Sequence, residues 1–458
     1  MAAFVKSIHA EGSKIRKKTM ERRQCMTARQ HIANYESRLR EYTNFAVRGI
    51  RKVCKACGPR PPASGSELKA QEMMRGDLET CCDSVAIESF QVAPKAFMSW
   101  VRTGVVLAVL SGLAYNLGYA VACAAFMVFE LGFIVLEFIM YKQAADVFLP
   151  KKESHNLVGV RRPAGEVKRR LILCGHADSA NEWTFTYLGD KLFKSTKLLL
   201  VFIFCALITM VFGLGVSVAA LAAGHGWNGF AALPERGRTL NILGYVFAGM
   251  CVPILACWFF ENKKRPVEGA NDNLTGCFTA MAVAKLLGDL NLRLENTELV
   301  VLCSGSEEIG LRGAKAFVKA HADEYKDVET VFIALDTMTE LEYIGIYIDD
   351  LTTTIKHDPA VCAMIRTAAN TAGHDVPYEH LPFGGSDAAA ATQAGMRAAA
   401  MAAMNPAPAA YYHTRLDTCE KLQPKSLEAC LDIVLEVAHQ FDETGLAPFE
   451  GSKVAVVK

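Results

Sequence analysis

The chain is short of charge. Only 21% of its 458 residues are charged, and 49 Lys plus Arg nearly cancel 48 Asp plus Glu, leaving a formal net charge of +1. Without a basic excess, the electrostatic footprint of a nucleic-acid binder is missing. Without a high net charge, and with 51% hydrophobic residues, a disordered chain is excluded. A regular cysteine pattern is also lacking. The fifteen cysteines are odd in number and scattered, and Cys123, Cys205, Cys251 and Cys257 fall in apolar runs, where cysteine acts as a small hydrophobe. That usage excludes a secreted disulfide framework and fits a reducing compartment. Residues Met1–Gln24 are basic but hold no apolar core, so no cleavable signal peptide is expected.

Hydrophobicity is what the chain has in excess. Its mean hydropathy is +0.18, unusual for a wholly soluble protein. Four apolar stretches approach or exceed membrane-spanning length: about 97–117, interrupted by Arg102; 119–140, with Glu130 and Glu137 inside; and 198–223 and 240–260, both uncharged. Each holds about 20 residues, enough for ~30 Å of hydrocarbon at ~1.5 Å per residue. Core helices of soluble domains are rarely apolar all round at this length, so the stretches read as two transmembrane hairpins. The glutamates are expected to face partner helices and Arg102 to reach an interface. The turns fall at Tyr115–Tyr119 and at 223–239, which contains Gly224, Gly226, Gly229 and Pro234. Lysines flank the opposite ends, at 142, 151, 152, 191, 194, 197, 263 and 264, joined by Arg265. The positive-inside rule then places both termini and the polar segments in the cytoplasm. The basic run Lys14–Arg23 reads most simply as a solvated cytoplasmic face within reach of anionic lipid.

The polar parts read as α/β. Leu171–Cys174, Leu299–Cys303 and Val331–Leu335 are continuous apolar runs suited to strands buried on both faces, and Arg397–Met404 is a further candidate. Helical patterns such as Gly276–Leu287 and Leu311–Tyr325 alternate with them. The expected fold is a mixed, largely parallel central sheet flanked by helices, with chemistry beyond the carboxyl ends of the strands. His176, Asp178, Glu307, Glu308 and Asp336 follow such ends; His413 follows the fourth run, and Asp272 opens a helix. Alone, each has a structural explanation, such as a helix cap or a hydrogen-bonded histidine. Together they make a metal site of hard and borderline ligands, which suits zinc. Cys54-x-x-Cys57 with Cys81-Cys82 has the wrong spacing for a structural zinc site.

These residues resemble metallopeptidase family 28, the co-catalytic zinc aminopeptidases, which also includes carboxypeptidase-like members and glutaminyl cyclases. The matching pieces occur in family order: Gly58-Pro59-Arg60, Gly65-Ser66-Glu67, Phe90-Gln91-Val92, His176-Ala177-Asp178, 269–276, 307–313, Leu335-Asp336, Gly384–Ala388, and His413-Thr414 with Asp417-Thr418. The resemblance implies two zinc ions, one held by His176 and Asp336, the other by Glu308 and His413, with Asp272 bridging. It makes Glu307 the general base and gives Asp178 the task of orienting His176. The implied reaction is amide hydrolysis by a metal-activated water. His380, Ser386, Asp387 and Tyr412 are expected around the substrate. Ser386 has no evident base partner, so a serine nucleophile is a poor reading.

One departure from the family pattern matters. The gap from Asp178 to Asp272 is lengthened by the second hairpin. From Phe260 to Asp272 is about twelve residues, which keeps the metals within ~40 Å of chain from the bilayer. The expected organisation is a basic arm (1–50), a first peptidase segment (51–96), a hairpin (97–141), a second segment (142–197), an inserted hairpin (198–260) and a third segment (261–458). The expectation is a membrane-bound zinc aminopeptidase, cytoplasmic in its catalytic part, with its active-site mouth near the bilayer. Its partners would be peptide substrate and lipid, with no nucleic acid; the sequence does not give the oligomeric state. Alternatives are a glutaminyl-cyclase-like acyl transferase, with one zinc, and a non-catalytic receptor or scaffold on the same fold.

Overall fold

The apolar runs become strands because each buries side chains in both directions. This computed structural model describes residues 27–227, 237–405 and 409–456. Helices α1 (Tyr35–Cys57) and α2 (Gly65–Leu78) precede strand β1 (Ser84–Val92). Next come apolar helices α3 (Ser99–Asn116) and α4 (Ala120–Ile134), the latter running on through a π turn to Ile139. Strands β2 (Lys152–Arg161), β3 (Arg169–His176) and β4 (Asn181–Trp183) lead through α5 (Thr184–Phe193) to apolar helices α6 (Leu198–Ala222) and α7 (Gly237–Ile254). They are followed by β5 (Glu261–Pro266), α8 (Thr275–Asp289), β6 (Thr297–Ser304), α9 (Arg312–His321), β7 (Glu329–Met338) and β8 (Ile344–Tyr347). A hairpin, β9 (Asp349–Asp350) with β10 (Ile355–Lys356), precedes α10 (Pro359–Ala372), β11 (Tyr378–Glu379), α11 (Asp387–Gln393), β12 (Arg397–Ala403) and α12 (Pro424–Thr444).

Eight strands form one sheet in the order β1-β2-β6-β3-β7-β12-β8-β11. The centre, β6-β3-β7-β12, is parallel, and β1 and β2 add an antiparallel edge. Leu171 and Leu173 pack on one face with α1, α8, α10 and α12, while Ile172 and Cys174 pack on the other against Phe317. The register sets His176 beside Ser304 and Ala402 beside Asp336, so the ends of β3, β6, β7 and β12 share one edge. The mixed, largely parallel sheet is as expected.

One expectation needs revision. Residues 1–26 lie outside the described residues, and so does the basic run Lys14–Arg23. The rest of the supposed arm is core. Tyr35, Leu39, Tyr42, Ala46, Ile50 and Val53 recur every three or four positions along α1 and are buried against the sheet-covering helices. Its charged outer face hid this stripe. The expectation of four spans is met in part. Three described helices are long and apolar enough to cross a membrane: Ala120–Ile139, Leu198–Ala222 and Gly237–Phe259. Four were expected. Helix α3, which is long enough but carries Arg102 and ends in Asn116, is not among them; Arg102 in its first turn lies 5.3 Å from the ring centroid of Trp258.

The four apolar helices pack together around Tyr115, Met127 and Phe247. Among the described residues, every exposed large apolar side chain except Leu341 lies between Val106 and Phe259. Both glutamates of the second stretch point inward and are fully buried. Glu130 faces Gly104, where an added Cβ would sit 2.7 Å from its Oε1. Glu137 accepts the Ala145 N–H at 2.6 Å and lies 3.9 Å from Arg312, which opens α9. The bundle therefore contacts the sheet domain just beyond Glu307-Glu308. Part of the second turn, 228–236, lies outside the described residues.

Candidate metal centre

Strand ends supply the site. His176 closes β3, Glu307 and Glu308 follow β6, and Asp336 lies near the end of β7. Asp272 and His413 come from loops. Asp272 stands between the two imidazoles, with Oδ1 3.1 Å from His176 Nε2 and Oδ2 3.2 Å from His413 Nε2. Glu308 Oε2 is 3.1 Å from His413 Nε2, and Glu307 Oε2 is 3.7 Å from His176 Nε2. Two donor groups result, His176/Asp272/Asp336 and Asp272/Glu308/His413, each with its atoms within 4.8 Å of one another. They share Asp272.

Backbone contacts hold these side chains. Asp178 accepts the N–H of Glu307 at 3.0 Å and of Glu308 at 3.1 Å, and also lies 3.4 Å from His176 Nδ1. Asp417 accepts the N–H of Asn271 and of Asp272 at 2.8 and 3.0 Å. The fully buried Arg60 guanidinium donates to the carbonyls of Gly58, Ala177, Glu268 and Gly269, joining the His176 and Asp272 loops. Gly269 has φ +63°, and a Cβ there would lie 2.5 Å from Ser179 Cβ, so only glycine fits. The His413 ring is stacked on Tyr412 at 4.0 Å and met edge-on by Trp183 at 4.4 Å.

Crowded carboxylates in a buried place repel one another. Burial, reinforced by Asp387, Asp336 and Asp178, pushes Glu307 well above the usual carboxylate range. Burial and Asp272 do the same to Glu308 and raise Asp336 to about 8. Burial also opposes ionisation of Asp272, but His176 and His413 outweigh it and hold that carboxyl low. For His176, burial is outweighed by Glu307, Asp178 and Asp272, and its pKa rises. Asp272 Oδ2, Glu308 Oε1 and Asp336 Oδ1 are buried without a hydrogen bond. Orphaned carboxylate oxygens aimed together, with two imidazoles, are the donor set of a divalent cation, and this mixture fits zinc.

The site opens into a pocket of about 130 Å³. Its polar floor is His176, Asp272, Glu307, Glu308, Asp336 and His413; Ser386 and Tyr412 line it too. Asp178 and Asp387 sit behind the wall. Asp387 accepts from Ser304 Oγ at 2.6 Å, and Ser386 Oγ donates to Asp350 at 2.5 Å rather than to an imidazole. His380 does not reach the pocket. Its Nδ1 lies 2.6 Å from the buried Asp349, and the side chain is half exposed. The expectation that it lines the substrate site is therefore corrected: its neighbours Leu381, Pro382 and Phe383 turn inward instead.

Sequence reasoning missed the apolar roof. Phe97, Met98, Phe138 and Tyr141, from the ends of the first helical hairpin, join Trp183 and Phe383 over the metal ligands. Trp183 follows His176 by seven residues, which was the only available hint. Arg60, Glu67 and Asp417 stood within the quoted motifs, but no role could be given to them. Glu67 is buried and accepts the Ser306 N–H at 2.7 Å.

Comparison with known proteins bears on the fold. No curated protein sequence matches the chain. BSAP, a zinc aminopeptidase from Bacillus subtilis, superposes with a TM-score of 0.50 at 14% identity, covering 88% of this chain and 95% of its own. An aminopeptidase from Aneurinibacillus sp. strain AM-1 gives the same values. A glutaminyl cyclase from Fimbriiglobus ruber gives 0.50 at 13%, covering 87% and 95%. Peptidase family M28 matches over residues 257–438, a stretch that contains every proposed ligand except His176. The chain thus has the fold shared by these zinc aminopeptidases and glutaminyl cyclases, and its third segment matches peptidase family M28.

Proposed function

We propose that the chain is a membrane-bound, zinc-dependent aminopeptidase of family M28. The carrying observation is the sharing of Asp272 by two donor groups, with Glu307 beside the first. On this reading His176 and Asp336 hold one zinc, Glu308 and His413 hold the other, and Asp272 bridges. When bound, zinc would supply Lewis acidity to a water and to the scissile carbonyl. Glu307 takes the proton from the attacking water and passes it to the leaving amine. Asp178 keeps the Glu307-Glu308 backbone in place, and Tyr412 and Trp183 hold the His413 ring. The roof of Phe97, Met98, Phe138 and Phe383 excludes water and receives apolar side chains of the peptide.

On this reading α3 and α4 cross the bilayer as one hairpin and α6 and α7 as a second; β1 before the first hairpin pairs with β2 after it, so α3 must cross wherever α4 does. The basic flanks put the sheet domain in the cytoplasm, and the pocket, roofed by the bundle's ends, lies at the membrane surface. Peptides released from the membrane are then natural substrates. Glu307→Gln tests the assignment. Turnover of free-N-terminus peptides should fall by at least ~10²-fold while bound zinc stays unchanged; wild-type turnover would refute it.

Glutaminyl-cyclase-like acyl transfer is the second reading, since one fold neighbour carries that name. Metal analysis separates the two. One zinc at the His176–His413 centre would favour the cyclase, two the peptidase.

A further inference from the structure

A second group of metal-binding side chains lies outside the pocket. The Sγ of Cys54, a carboxylate oxygen of Glu268 and the Sγ of Cys419 lie within 4.8 Å of one another. None of the three lines the pocket. They come from three segments: the last turn of α1, the link between β5 and the Asp272 loop, and the loop beyond His413. Zinc bound to thiolates at 2.3 Å and to a carboxylate at 2.0–2.2 Å would set neighbouring donors about 3.3–3.8 Å apart in a tetrahedron. The 4.8 Å limit within which the three atoms lie is about 1 Å wider than that spacing.

The surroundings favour a cation held by two thiolates. Glu268 is anchored through its Oε1, which accepts the Cys419 N–H at 2.9 Å, and through its carbonyl, which accepts from Arg60. Two thiolates and one carboxylate on a dication leave one excess negative charge. Burial pushes both thiols up in the metal-free site, and Arg60 near Cys54 and Arg51 near Cys419 act against it. Cys57 takes no part: its Sγ contacts Met73 Sδ at 3.6 Å. This is why the Cys54-x-x-Cys57 spacing is uninformative, since the partner of Cys54 lies far along the chain.

We propose that Cys54, Glu268 and Cys419 form a metal site separate from the catalytic centre, taking a thiophilic divalent cation such as Zn²⁺ with a water as fourth ligand. Binding releases two thiol protons to solvent and forms two metal–sulfur bonds. The ion ties α1 to the loops that carry Asp272 and His413. It holds the catalytic loops in register and does not touch substrate. This site is independent of the peptidase reading.

Cobalt distinguishes the two centres, because only thiolate ligands give an intense near-ultraviolet charge-transfer band. The full-length chain, purified in detergent under reducing conditions and freed of metal, is titrated with Co²⁺. The band should appear, level off at the intensity of one thiolate-bound cobalt per chain, and be displaced by Zn²⁺. It should be lost in Cys419→Ser and Cys54→Ser and kept in Cys57→Ser and His413→Ala. If Cys54→Ser fails to fold, Cys419→Ser, at a partly exposed loop position, decides alone. No band in the parent protein, or a band that survives Cys419→Ser, overturns the proposal. So does a Cys54–Cys419 disulfide in the reduced preparation.

Discussion

Asp178 and Glu307 are joined through the backbone: the Asp178 carboxylate accepts the Glu307 N–H at 3.0 Å, and its second oxygen accepts that of Glu308 at 3.1 Å. The same carboxylate approaches His176 at 3.4 Å. One buried side chain thus positions a ligand of each donor group and the proposed base. In Asp178→Asn one oxygen becomes an amide nitrogen facing an N–H donor. Peptide turnover is expected to fall by about 10–100-fold, with KM little changed and zinc affinity reduced. Unchanged turnover would assign Asp178 no positioning role.

Asp417 does for Asp272 what Asp178 does for Glu307. Asp417→Ala leaves two buried N–H groups, those of Asn271 and Asp272, without an acceptor. Each costs roughly 1–3 kcal/mol. The melting temperature and zinc affinity should drop together, which thermal melts with and without added zinc would read. A variant as stable as the parent, with both zincs bound, would contradict this account.

The site was legible at the strand ends and obscure in its supports. Leu171–Cys174 and Val331–Leu335 announce strands because both faces of the sheet are buried, and the residues just beyond them had to share an edge. Strand β1 is half exposed along its length, so its mixed composition gave a weaker sign. Arg60 and Asp417 act through main-chain atoms of segments more than a hundred residues away, which no local pattern reports. His380 was misread because closeness in sequence to Gly384–Ala388 says nothing of where a ring points. Asp349, buried in a two-residue strand, captures it.

A pH effect on stability is expected away from the metals. The hydrogen bond to Glu88 raises His321, with Glu324 adding to it and burial opposing, to about 9. An unfolded histidine titrates near ~6.5. A folded pKa above the unfolded one means that the stabilisation is full below ~6.5 and is lost as pH rises through about 9. Melting temperatures should fall over that window in the parent and fall less in His321→Gln. Parallel curves would remove the Glu88–His321 pair as the cause.

Membrane attachment is equally checkable. The exposed faces of α4, α6 and α7 carry Phe129, Phe204, Val211 and Val252, each about 60% exposed or more. The full chain should stay in the membrane pellet through a carbonate wash and be released by detergent. Recovery in the carbonate supernatant would exclude spanning helices.

Phe138 and Tyr141 end the first helical hairpin and also roof the pocket. A preparative shortcut that strips away the greasy helices to obtain a soluble enzyme would therefore leave the metal ligands standing in an open bowl. Any inhibitor screen run on such a fragment would select compounds for a cavity the intact protein does not possess.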